Sequence, residues 1–158
     1  MTLAKNREFE TAFEVYMPSE PSLPGLSDGL RNELWKLQML LKEKSRYMHS
    51  VCAAYNNSPV AMRFHLIMEE LSEVVGAVVE GDMEHVCKEL CDLTVVTEGT
   101  VLVFGLGDVH EQAMDLVHDS NMSKLVDGKP LKNEVGRIQK GPNYKPADLS
   151  PLFKKESV

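Results

Sequence analysis

Apolar residues along most of the chain recur at helical spacing rather than alternating. Leu30, Leu34, Leu37 and Leu41 fall at i, i+4, i+7 and i+11, one stripe of an amphipathic helix. They predict a long helix from Ser27 or Asp28 to about Cys52, ended by Asn56-Asn57. The next apolar segment opens on Ser58-Pro59, a side-chain cap followed by a proline at the first helical position. Gly81 stands where a left-handed residue would close that helix. Asp82 then caps a third helix that fades near Gly105-Leu106-Gly107. The tight Gly81-Asp82 link makes these two helices antiparallel neighbours.

The ends are less regular. A short helix is expected near Arg7–Val15, and Pro18, Pro21, Pro24 and Gly25 predict an extended arm, since proline fixes φ and removes a donor. Asp108-Val109-His110-Glu111 has the spacing of a capping box and predicts a fourth helix to about His118. After Asn121 the periodicity fails; Asp127-Gly128-Lys129-Pro130 and Glu134-Val135-Gly136-Arg137 are turn sequences, and a small hairpin through them is one expectation. The fold class is therefore all-α, a helical bundle with an irregular basic C-terminal segment. The chain divides into an arm (1–26), a helical core (27–118) and a tail (119–158).

With 158 residues the chain is the size of one domain. A 43% apolar and 6% aromatic composition suits helix packing. No apolar run of about 20 residues is present, so no membrane partner is expected. Residues Met1–Glu8 lack the apolar stretch of a secretory signal. Cys52, Cys87 and Cys91 form no CxxC pair, and reduced thiols in a cytoplasmic protein are the expectation. The net charge of −7 argues against nucleic-acid binding. It is unevenly spread. From Ser120 to Pro146 six cations stand against two acids, a local excess that suits a polyphosphate ligand or a solvated tail.

Chemistry concentrates on the two central helices. Glu70 and Glu73 lie at i, i+3 on one, Glu89 and Asp92 at i, i+3 on the other, each pair inside an otherwise apolar stretch. Such spacing puts both carboxylates of a pair on one face. Four acids on facing helices destabilise the packing unless a cation neutralises them, and hard oxygen ligands suit Mg²⁺ or Mn²⁺. Gly76 and Ala77, one turn beyond Glu73, would let the helices approach. Glu69 points about 100° from Glu70; it is a general base, a ligand or a surface acid. The histidines make no Glu-x-x-His pattern of di-iron bundles, and no Walker A, GxGxxG or zinc spacing occurs.

Glu69-Glu70-Leu71-Ser72-Glu73 followed by Glu89-Leu90-Cys91-Asp92 resembles the EExxE…ExxD signature of the all-α nucleoside triphosphate pyrophosphohydrolases. That superfamily includes MazG, the dimeric dUTPases and the phosphoribosyl-ATP pyrophosphohydrolases. Ser120–Leu125, Asp127–Pro130 and Lys140–Tyr144 are similar to the tail of a bacterial and phage MazG-like group. The resemblance implies hydrolysis of a dNTP to its monophosphate and pyrophosphate, with dGTP the first choice, in a bacterial or phage-infected cytoplasm. It implies Glu70, Glu73, Glu89 and Asp92 as ligands of two or more Mg²⁺ or Mn²⁺ ions, and Glu69 as base or ligand. Asn121 and Lys124 would bind sugar or phosphate, with Lys140 and Tyr144 closing the site. A homodimer or homotetramer would complete the bundle. House-cleaning of non-standard nucleotides and a non-catalytic helical adaptor are the other functional readings.

Overall fold

The structure, a computed structural model, describes residues 3–153. Six helices are present among them: α1 (Leu3–Ala12), α2 (Asp28–Ala54), α3 (Pro59–Glu80), α4 (Met83–Val103), α5 (Gly107–Met122) and the short α6 (Ser150–Phe153). The described residues contain no strand, only isolated bridges between Val126 and Lys129 and between Lys132 and Ile138 around the two turn sequences. The fold class is all-α, as the periodicity indicates.

Two compact units make up the chain: Pro18–Gly105, and Met1–Met17 with Leu106–Val158. The first holds α2, α3 and α4, with α3 packed against both others. In the second, α1 and α6 pack on α5. Of the helices expected in the core over 27–118, α2, α3 and α4 fall in the first unit and α5 in the second.

Local signals set the central boundaries. Ser27 Oγ accepts from the Leu30 amide, Ser58 Oγ from Ala61 and Asp82 Oδ1 from His85. Asn56 and Asn57 take positive φ, 55° and 56°, a pair of left-handed residues that a helix cannot continue through. Gly81 closes α3 at φ 82°, a conformation glycine adopts at little cost. Contacts of Arg31 with the Val79 carbonyl and of Ser45 with His65 run α2 antiparallel to α3.

Two expectations at the periphery need correction. α5 begins at Gly107 with no side-chain cap, so Asp108 sits inside the first turn, and the helix runs on to Met122. An acid there still complements the helix dipole without capping it. The first helix lies at Leu3–Ala12, earlier than Arg7–Val15.

The stripe on α2 is the larger surprise. Leu30 and Leu37, half of the expected core face, are 46% and 42% exposed, whereas Ser45 is buried at 4%. The polar residues Gln38, Lys42, Ser45, Arg46 and His49 share another side of α2, about 100° around from the leucines at 100° per residue. Of these, Ser45 bonds to α3 and the Gln38 amide lies against Gly76. This helix turns part of its polar side toward α3 and leaves part of its apolar side open.

Candidate metal centre

Glu70 and Glu73 project from α3 and Glu89 from α4. One carboxylate oxygen of each lies within 4.8 Å of the others. The short Gly81-Asp82 link produces this meeting, because it folds α4 back along α3. Glu89 is 2% exposed, yet it is not left alone: His85 Nε2 lies 2.8 Å and Lys88 Nζ 2.9 Å from its Oε1. The Lys88 hydrogen bond, ahead of all other effects, holds the Glu89 carboxyl below its ordinary range.

The other two acids behave in the opposite way. Burial first, then the charges of Glu73, Asp92, Glu89 and Glu69, push the Glu70 carboxyl up. Burial and then Glu89 push Glu73 up, with Lys88 partly opposing. Protein cations therefore neutralise one side of the cluster and leave the Glu70–Glu73 side electrostatically short of positive charge. A divalent ion bound by hard carboxylate oxygens supplies what is missing, so the residues present fit Mg²⁺ or Mn²⁺.

Asp92 stands apart from the three. Its Oδ2 pairs with Lys88 Nζ at 2.8 Å and its side chain is 42% exposed, though its charge reaches Glu70. Lys88 therefore bridges the two acids of the α4 pair. Glu69 also lies outside the close trio. Its Oε2 is 3.8 Å from His65 Nε2, and His65 Nδ1 is 2.8 Å from the Oγ of buried Ser45.

Glu69 and Glu73 line a cleft of about 510 Å³ between α2 and α3, opposite Lys42, Arg46 and His49. Ser45 and His49 in this cleft and Lys88 beside Glu89 are not singled out from the sequence, and His65 and His85 are set aside there because the histidines make no Glu-x-x-His pattern. The signal for the α2 members was present as polar residues at 38, 42, 45, 46 and 49, spaced like a helix face.

The tail candidates lie in the other unit. Lys124 Nζ donates to Asn121 Oδ1 at 2.7 Å. Lys140 Nζ sits 4.5 Å from the centre of the Tyr144 ring, a cation–π contact. Tyr144 also lines a separate cleft with Ser123, Asn143 and Lys145. The spacing Asn121–Lys124 and the loop Lys140–Tyr144 thus bring both expected pairs together locally. No single helix among the described residues is long and apolar enough to cross a membrane.

The family model for phosphoribosyl-ATP pyrophosphohydrolase matches residues 35–121. This stretch contains all of α3 and α4 with every carboxylate of the centre, and the polar positions 38–49 of α2. No curated protein and no solved structure matches the chain. Because the matched stretch is more than half of the sequence and carries the whole acidic cluster, the chain belongs to the phosphoribosyl-ATP pyrophosphohydrolase family, whose members hydrolyse a phosphoric anhydride.

Proposed function

We propose that the protein is a MazG-like, Mg²⁺- or Mn²⁺-dependent nucleotide pyrophosphohydrolase that converts a dNTP to dNMP and pyrophosphate. The observation carrying this reading is the meeting of Glu70, Glu73 and Glu89 oxygens from two antiparallel helices within 4.8 Å. With Asp92 at the edge of the cluster, these acids would hold the ions. Bound there, a divalent cation supplies Lewis-acid polarisation of the phosphate and charge for the departing group.

The chain's own residues have distinct tasks in this scheme. Glu69, half exposed at the cleft and beside His65, takes a proton from the attacking water. The water oxygen bonds to the α-phosphorus, the bond from that phosphorus to the α,β-bridging oxygen breaks, and pyrophosphate leaves with the electron pair. The proton passes from Glu69 to solvent. Asn121 and Lys124 are assigned to sugar and phosphate, Lys140 and Tyr144 to closing over the nucleotide. A cytoplasmic setting and a homodimer or homotetramer belong to the same proposal, the latter supported by the open apolar side of α2.

The family match favours a second substrate with the same scissile bond, phosphoribosyl-ATP. One assay separates the possibilities: incubate the protein and Mg²⁺ or Mn²⁺ with each dNTP, dGTP first, each NTP, non-standard nucleotides and phosphoribosyl-ATP. Chromatography should show a monophosphate and pyrophosphate formed together. Stepwise orthophosphate would refute the cleavage position. Turnover of none of them would favour the non-catalytic adaptor.

A further inference from the structure

The acidic centre accounts for cations but not for the highly charged anion that a nucleotide polyphosphate brings. In the α2–α4 unit the α2–α3 cleft sets cations of α2 opposite the acids of α3. Lys42 and Arg46 of α2 line it together with His49, across from His65, Glu69 and Glu73.

The state of the two cations sets them apart. Neither Lys42 nor Arg46 forms an ion pair among the described residues, whereas Lys36 is held by Glu33, Lys44 by Glu43 and Lys88 by Glu89 and Asp92. Lys42 and Glu73 also line a second cleft of about 300 Å³, with Gly76, Ala77, Glu80 and His85. Lys42 thus shares both clefts with Glu73, a residue of the acidic centre. The Gln38 amide fills the space over Gly76, where an added Cβ would collide with it. His65 is fixed from behind by Ser45, and the His49 ring meets it edge-on at 4.9 Å. The cleft thus has an imidazole wall and, beside the carboxylates, two cations that no acid holds in a close ion pair among the described residues, although the Arg46 charge reaches Glu43.

We propose that this cleft is a polyphosphate subsite, with Lys42 and Arg46 as its anion contacts and His65 as its hydrogen-bonding wall. The subsite rests on the nucleotide pyrophosphohydrolase reading and gives it a second half: carboxylates of α3 and α4 would hold the cations, and Lys42 and Arg46 of α2 would hold the phosphate oxygens. Arg46 suits a planar two-point contact and Lys42 a point charge. The ligand recognised is a chain of phosphates, so a base-free chain should bind as well.

The test uses the full-length protein, inorganic tripolyphosphate with Mg²⁺, and calorimetric titration of the wild type, Lys42→Ala, Arg46→Ala, Arg46→Lys and the double alanine variant. Removing one charge-assisted hydrogen bond to a phosphate weakens affinity on the order of 10- to 100-fold, and Arg46→Lys should recover part of it. Mn²⁺ binding without any phosphate, read by electron paramagnetic resonance, should match wild type, and circular dichroism should report the same helix content. Tripolyphosphate binding that is absent in the wild type, or unchanged in the double variant, overturns the subsite. So does a fall in Mn²⁺ affinity that parallels the weakened phosphate binding. If the variants fail to bind tripolyphosphate while the wild type binds it but cleaves no nucleotide, the subsite stands and the catalytic reading falls. If nucleotides are cleaved and both single variants keep wild-type KM, the catalytic reading stands and the subsite falls.

Discussion

Replacing Glu70 by Gln distinguishes a metal centre from a chance cluster of acids, because its effects with and without divalent cation have opposite signs. Glu70 is pushed up first by burial and then by four neighbouring carboxylates. A carboxyl whose folded pKa exceeds its unfolded value contributes stability below the unfolded pKa and loses it as pH rises through the folded one. At pH 7 its charge therefore costs stability. No hydrogen bond to the Glu70 side chain occurs among the described residues, so the amide removes repulsion and little else. One like-charge pair a turn apart costs about 0.5 kcal/mol, and a chain of this size shifts by about 2–4 °C per kcal/mol. The metal-free variant should melt about 1–2 °C above wild type. Mn²⁺ at 100 times the wild-type Kd stabilises the native protein by about 2.7 kcal/mol, or about 5–11 °C. A 100-fold loss of affinity leaves about 0.4 kcal/mol, so the variant should respond by only about 1–2 °C. Scanning calorimetry on chelated and Mn²⁺-loaded samples reads both numbers. An unchanged Mn²⁺ response would refute the assignment of Glu70 as a ligand.

Other sites make smaller claims. Ser45→Ala leaves the half-buried His65 Nδ1 without its partner; calorimetry should show a loss of about 1 kcal/mol, and an unchanged melting temperature would mean the bond contributes nothing. Lys5 pairs with Asp115 at 2.5 Å, linking α1 to α5, and the Lys5 hydrogen bond holds Asp115 below its usual range. A lowered carboxyl contributes stability above its unfolded pKa and loses it as pH falls through the folded value. Asp115→Asn should therefore speed hydrogen exchange in α1 at neutral pH and converge with wild type in acid; a difference that persists in acid contradicts the ion pair as its source.

The central boundaries were legible because each rests on a local rule. A serine and proline open α3, glycine closes it, aspartate opens α4, and each does so through its own backbone chemistry. The i, i+3 acids and the short link between their helices were enough to anticipate that Glu70, Glu73 and Glu89 meet. What the pattern did not disclose was which side of α2 faces α3. Both a leucine stripe and a polar stripe are written into residues 30–49, and periodicity alone favours burying the leucines. The polar side wins around Ser45 because α3 presents polar and acidic groups there. Lys88 was illegible for another reason. An ion pair with its neighbour in sequence, Glu89, is a side-chain conformation rather than a pattern.

The leucine side of α2 leads to the last prediction. Leu30, Leu37, Leu40 and Tyr47 are 46%, 42%, 49% and 63% exposed, and at 100° per residue all four fall within about 100° of one another. On α3, Val60, Phe64 and Leu71 make a second exposed row, at 51%, 47% and 37%, within about 40°. Scattered exposed apolar residues are ordinary, but aligned rows on α2 and α3 point to a cover. A second copy of the chain is the proposed cover, and burying a leucine-sized side chain contributes about 1.5–3 kcal/mol. Leu37→Glu would bring a charge into such an interface and should shift the protein toward monomer in analytical ultracentrifugation, with wild type sedimenting as a dimer or tetramer. The Mn²⁺-induced thermal shift should weaken in step, because a monomer leaves the helices around the acids more open. A wild type that stays monomeric at all accessible concentrations would refute the proposal, and so would a Leu37→Glu variant with the wild-type association constant.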